Sequence, residues 1–127
     1  MTEPLDLPRH PGIAVSDIPG RGRGVLAVEP IRKGELIEAA PVVRLLPEAS
    51  PPKPSPLYDY LFAWDEPPFA EAIAFGIVSL VNHASPATAT LACDFSDGTI
   101  RLLAQTDIEA GEEITIDYGI PLWFEAR

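Results

Sequence analysis

Residues 111–119 read Gly-Glu-Glu-Ile-Thr-Ile-Asp-Tyr-Gly, and an Asn82-His83 pair closes an apolar stretch about thirty residues earlier. The first segment is a glycine turn, a short strand of branched residues and one placed phenol, Tyr118. The second is a polar pair at the end of a buried run. A chain that carries both has to bring an amide, an imidazole and a phenol to the edge of one core, which limits its fold more than its composition does.

With 127 residues and 13.7 kDa the chain has the length of one domain, large enough to bury about two-thirds of its unfolded surface. Hydrophobic residues at 46% and charged residues at 22% exclude wholesale disorder. Short branched runs at Ile13-Ala14-Val15, Gly24 to Val28, Leu36 to Ala40 and Val42 to Leu46 have the spacing of successive strands, with Gly20, Gly22, Pro30, Gly34 and Pro41 as turns. Five prolines from Pro47 to Pro56 read as a surface loop. Helices are expected over Leu57 to Trp64 and over Phe69 to Asn82, separated by Pro67-Pro68. In the second, Phe69, Ile73, Gly76, Ile77, Leu80 and Val81 recur at three- and four-residue steps, and Gly76 is a place of close approach. Beyond it, Thr90 to Phe95 and Thr99 to Ala104 flank Ser96-Asp97-Gly98 as a hairpin, with Asp-Gly supplying positive dihedrals, and Ile114 to Ile116 is the last strand. The result is a mainly β chain with a small helical insertion, not an alternating βαβ pattern.

The net charge of −10 is unevenly placed. Residues 57–127 hold twelve acids against Arg101 and Arg127, whereas residues 1–56 hold seven of each sign. Such a field repels phosphate backbones and attracts cations, so nucleic acid is not expected as a direct partner and a basic peptide is; plain solubility explains the acids equally well. A single cysteine, Cys93, leaves no intrachain disulfide and no multi-cysteine metal site, and reads as packing in an intracellular protein. Met1 to Pro11 has no apolar run, and no segment approaches the roughly 18 apolar residues of a membrane span, so the reading is cytoplasmic and without membrane contact.

Taken singly, the polar motifs stay ordinary. Gly20-Arg21-Gly22-Arg23-Gly24-Val25 lacks the Gly-Lys-Ser/Thr of a phosphate loop and the spacing of a dinucleotide fingerprint. It is either a plain turn or bare backbone for close approach. Asn82-His83 reads equally as a helix C-cap, and Tyr118 as a core or interface tyrosine. A metal needs three or four ligands, and His10 lies in a tail, so none is expected.

In order, however, these segments resemble the SET-domain protein-lysine methyltransferases, particularly the smallest stand-alone viral and bacterial members. The resemblance runs from about Gly20 to Phe124 through Gly22-Arg23-Gly24-Val25, Ile31 to Ile37, Asp59-Tyr60-Leu61-Phe62, Gly76, Asn82-His83 and Asp107 to Gly119. It implies a single SET domain over 1–127, with its core at about 12–124, built as a β-clip of short sheets with a C-terminal pseudoknot. It implies S-adenosylmethionine as methyl donor and a lysine-containing protein or peptide as acceptor, possibly histone-like or otherwise basic, laid across an acidic groove. By position, Gly22, Arg23 and Gly24 would hold the methionine end of the donor, Asn82 with the His83 backbone its amino and adenine groups, and Tyr118 would stand beside the transferring methyl, with Tyr60 near the channel. Trp123, in the Trp123-Phe124 pair, would stack on the adenine as a lid; core-edge or dimer packing is the alternative. Small relatives often pair, so a homodimer is implied.

Three departures from the family pattern stand out. Ala84-Ser85-Pro86-Ala87-Thr88 replaces the usual Ser-Cys-x-Pro-Asn after Asn-His, Ile116 occupies a position often aromatic two residues before the tyrosine, and Ala40 stands near another channel tyrosine. They keep open a catalytically inactive module that binds peptide or cofactor, and a structural interaction domain with no cofactor.

Overall fold

The computed structural model describes residues 7–51, 55, 57 and 60–117. Tyr118, Trp123 and Phe124 lie outside the described residues. The chain order is β1 (Ile13–Ile18), β2 (Gly22–Ala27), β3 (Leu36–Leu45), a 3₁₀ turn (Pro47–Ala49), β4 (Leu61–Glu66), β5 (Phe69–Ala74), a second 3₁₀ turn (Ile77–Leu80), β6 (Asn82–His83), β7 (Ala89–Asp94), β8 (Thr99–Ala104) and β9 (Glu113–Ile116). The strands form a four-stranded sheet, β1-β2-β9-β6, and a five-stranded sheet, β4-β5-β3-β8-β7. The mainly β reading therefore holds, and Ile37, Trp64, Val78, Ile100, Leu102 and Ile114 close the core.

The two expected helices are not helices. Within the first span Leu61 to Trp64 lie in β4 and Leu57 and Tyr60 have 3₁₀ conformation, while Phe69 to Asn82 divides into β5, the second 3₁₀ turn and β6. The apolar spacing of the second run is produced by a strand joined to a tight turn, and in short apolar runs the periodicity does not separate helix from strand. Pairing decides it: β5 lies antiparallel between β4 and β3, and within it Ala72 and Ala74 are buried while Glu71 and Ile73 are only half-buried, the alternation of a strand. Asn82-His83 is accordingly a strand and not a C-cap.

Pro41 does not turn the chain either. The two strands expected around it are one, β3, which pairs with β8 from Leu36 to Pro41 and with β5 from Val42 to Leu45. Pro41 stands where β3 changes neighbours, and its carbonyl accepts from the Phe75 N–H at 2.9 Å. A register shift between Leu36 and Glu38 breaks the alternation, so that Ile37, Glu38, Ala39 and Ala40 are all buried. Ala40, the place of an expected channel residue, is packed in the core opposite Ile100.

The β7–β8 hairpin forms as expected, but its turn differs. Among the loop residues only Gly98 has a positive φ, at 67°, so Asp97 contributes by side chain instead. Its carboxylate accepts from Thr99 Oγ1 at 2.6 Å and Arg101 Nη2 at 3.0 Å, and Asp94 Oδ1 accepts from the Ser96 hydroxyl and N–H, an Asx turn that holds Asp94 below the usual carboxylate range. Burial pushes the Cys93 thiol up to about 11, which keeps it protonated and suits packing.

The four-stranded sheet positions the site. β9 lies between β2, to which it is antiparallel, and β6, to which it is parallel, with Asn82 opposite Thr115 and His83 opposite Ile116. A turn through Gly111, at φ 92°, delivers it there: Gly111 N–H donates to Ala27 O at 2.7 Å and Ala27 N–H to Glu112 O at 2.9 Å. Placing the last strand between two earlier segments is the crossing that a C-terminal pseudoknot requires.

Candidate active site

The glycine-rich turn between β1 and β2 meets β6 at the edge of that sheet. Gly24 is buried in β2, and a Cβ there would lie 2.7 Å from each of Asn82 Nδ2, Glu113 Oε2 and Ile18 Cγ1. Only bare backbone admits the Asn82 amide so closely. Gly22, two residues earlier, has φ 75° and open space where a Cβ would be. Of the two readings of this segment, close approach is therefore the physical one at Gly24, while Gly22 is bare backbone facing outward.

Asn82 Nδ2 donates to Arg23 O at 3.1 Å and to Glu113 Oε2 at 2.8 Å. Two acceptors on one side fix which end of the amide is nitrogen. No donor among the described residues meets Oδ1. Since no buried side-chain nitrogen or oxygen there lacks a partner, Oδ1 reaches solvent. Arg21, at the tip of the turn, donates through Nη1 to His83 O at 2.9 Å and stands 3.6 Å from Glu113 Oε1. The His83 imidazole Nδ1 lies 3.8 Å from Asp117 Oδ1, one residue before Tyr118 in sequence.

The structure thus joins Gly22, Arg23 and Gly24 to Asn82 and His83, while Tyr118 and Trp123 lie outside the described residues. Tyr60 takes no part in the hydrogen bonds found among these residues. It precedes β4 in the other sheet, is 42% exposed, and among the described residues no hydrogen bond links it to Asn82, Glu113 or the glycine turn. Ile116 is buried and lines a small cleft with Ala87, Ala89, Leu91 and Gln105, next to Asp117.

Sequence reasoning missed four contributors. Arg21 and Glu113 were visible only as charges within motifs read for their glycines and tyrosine. Thr88, in the departed 84–88 segment, knits that segment onto β9: its hydroxyl donates to Glu113 O at 3.1 Å and accepts from the Thr115 N–H at 2.9 Å. Glu38 is 5% exposed and accepts from the Ile77 and Val78 N–H groups at 3.0 and 2.9 Å, capping the 3₁₀ turn that leads into Asn82. Its signal was Gly76, where a Cβ would come 2.6 Å from the Glu38 carboxylate. Among the described residues no group of three or more His, Cys, Asp or Glu side chains is arranged to hold a metal ion.

A short parallel pairing of β6 with a last strand that also borders a glycine-rich turn defines a SET-type β-clip. A SET domain family model matches residues 22–119. A Schizosaccharomyces pombe protein, histone-lysine N-methyltransferase, H3 lysine-37 specific, is 30% identical over 115 residues, spanning 89% of this chain and 77% of that protein. A solved structure of a candidate histone methyltransferase from Plasmodium falciparum matches with a TM-score of 0.69 at 26% identity, covering 88% of this chain and 96% of that one. The chain belongs to the SET-domain family of protein-lysine methyltransferases.

Proposed function

We propose that the protein transfers a methyl group from S-adenosylmethionine to the ε-amino group of a lysine within a basic protein segment, and that the donor lies where the β1–β2 turn meets Asn82-His83. The meeting of Gly24 with the Asn82 amide carries this reading. The residues fit such a ligand: Gly22 offers bare backbone against open space, and Asn82 Oδ1 offers an acceptor to an ammonium group. When bound, S-adenosylmethionine supplies an electrophilic methyl on a sulfonium, whose sulfur keeps the electron pair of the broken bond and becomes a thioether.

The protein's task is to deliver a neutral amine in line. Deprotonating a lysine of pKa about 10.4 at pH 7 costs about 4.6 kcal/mol, and an apolar channel beside a sulfonium lowers that cost by disfavouring the ammonium. No carboxylate base is needed. Tyr118, by its place in the motif, orients the amine, since a neutral phenol with pKa near 10 is a poor base at pH 7. Tyr60, exposed before β4, would contact the substrate chain as it enters. The twelve acids against two bases after residue 56 favour a lysine set among basic residues, and the relative named for lysine 37 of histone H3 supports a histone-like tail as one such segment.

Purified protein incubated with isotopically labelled S-adenosylmethionine and a cell lysate is expected to label lysines in basic proteins, with Tyr118→Phe slower by about 100-fold because the amine loses its alignment. Protein that binds the donor yet labels nothing would replace this reading with the inactive binding module.

A further inference from the structure

Asn82 has one face turned to acceptors and one to solvent, and the residue that enforces this is Glu113. A carboxylate can only accept hydrogen bonds, so with Glu113 Oε2 at 2.8 Å and Arg23 O at 3.1 Å the Asn82 amide has to point Nδ2 inward and Oδ1 outward. The Glu113 side chain is 17% exposed, and its other oxygen stands 3.6 Å from Arg21 Nη1, a cation that itself grips the His83 carbonyl. Arg21 therefore ties the glycine turn to both β6 and β9 through one guanidinium.

We infer that Glu113, braced by Arg21, is a positioning residue that locks the Asn82 amide with its oxygen outward, and thereby makes the surface that this oxygen faces selective for ligands that present an ammonium group. The inference rests on the proposed donor site and adds a specificity to it. Glu113→Gln would weaken the lock, leaving the Arg23 carbonyl as its one acceptor-only partner. The substituted side chain could present either nitrogen or oxygen to Asn82, both orientations of the Asn82 amide would then be populated, and one of them points N–H donors at the ammonium. The loss is expected to fall on the amino-acid end of the ligand, because Glu113 meets the Asn82 amide and the Arg21 bond to the His83 carbonyl is left in place.

Two ligands separate these ends: S-adenosylhomocysteine carries the α-ammonium, and 5′-methylthioadenosine keeps the adenosine and thioether without it. By calorimetric titration the wild type is expected to prefer S-adenosylhomocysteine, and Glu113→Gln to lose about tenfold of that preference with little change for 5′-methylthioadenosine, the scale of one charge-assisted hydrogen bond. Glu113→Asp, which keeps an acceptor-only group, is expected to restore most of it. A wild type that binds neither ligand overturns the donor site and this inference with it, whereas a Glu113→Gln protein that keeps the full preference overturns the inference alone.

A second measurement needs no variant. Asn82 is the only asparagine and Gln105 the only glutamine in the sequence, so their side-chain amide signals are distinguishable by NMR without mutagenesis. Asn82 donates twice to acceptors, whereas Gln105 donates to Ala87 O on an exposed edge. Exchange of the Asn82 amide protons with water is expected to be about tenfold or more slower than that of Gln105. Equal exchange would show the amide unlocked and end the inference.

Discussion

Gly24→Ala is expected to lower kcat/KM for methyl transfer by about 100-fold or more while costing only about 1–3 kcal/mol of stability, the range for overpacking a fitted site. The added methyl would meet Asn82 Nδ2, Glu113 Oε2 and Ile18 Cγ1 at 2.7 Å each. Asn82 and Glu113 can retreat only by giving up the bonds that hold them to Arg23 O and to each other. Relief of the clash thus dismantles the amide's orientation before it unfolds the chain. Gly98→Ala, in the β7–β8 turn, is the internal control: its φ of 67° makes alanine cost about 1–2 kcal/mol in backbone strain, but no atom lies within 4 Å of the new methyl and the amide stays in place. Steady-state kinetics and thermal melts of the two variants should therefore separate, activity falling at Gly24 far more than at Gly98. Near-wild-type turnover by Gly24→Ala would mean that the Asn82 contact is packing and nothing more.

The larger stability effect is expected at Glu38. Its two carboxylate oxygens satisfy the N–H groups of Ile77 and Val78, and it is 5% exposed. Glu38→Ala leaves both donors without a partner, and at about 1–3 kcal/mol for each orphaned group the loss should reach roughly 2–6 kcal/mol. For a domain of this length that is a fall in Tm on the order of 10 °C. Glu38→Gln keeps the shape but turns an NH2 toward one of the two N–H groups, so an intermediate loss is expected. Because the capped turn ends two residues before Asn82, both variants should also weaken donor binding in whatever protein remains folded. A urea titration that finds Glu38→Gln within about 0.5 kcal/mol of wild type would contradict the capping role, since that is the scale of an unconstrained surface site.

These two effects differ in how far the sequence announced them. The turn at Gly22 to Gly24, the last strand and the β7–β8 hairpin were legible because each is written locally, as glycines needing bare or positive-φ backbone or as short branched runs between turn residues. The meeting of the glycine turn with Asn82-His83 was legible only through the family resemblance, because nothing local encodes a parallel pairing of two-residue β6 with β9. Phe69 to Asn82 reads as a helix because strand β5 and the 3₁₀ turn after it place Phe69, Ile73 and Ile77 at helical steps, and tertiary pairing overrides the pattern. Glu38 and Glu113 escaped notice for a related reason. A charge in a sequence looks solvated until its partner, thirty or more residues away, is known to be backbone or amide. Gly76 shows what such a signal looks like when it exists: a glycine that no turn required, kept bare for the carboxylate lying against it.

Hydrogen exchange with and without saturating S-adenosylhomocysteine tests the convergence of turn, amide and last strand most directly. Protection is expected to rise in three separate stretches of sequence together, Gly22 to Val25, Asn82 to Ala84 and Glu113 to Asp117, with the β4–β5 hairpin unchanged. Binding that protects other segments and leaves these three as they were would show that the cleft lies elsewhere.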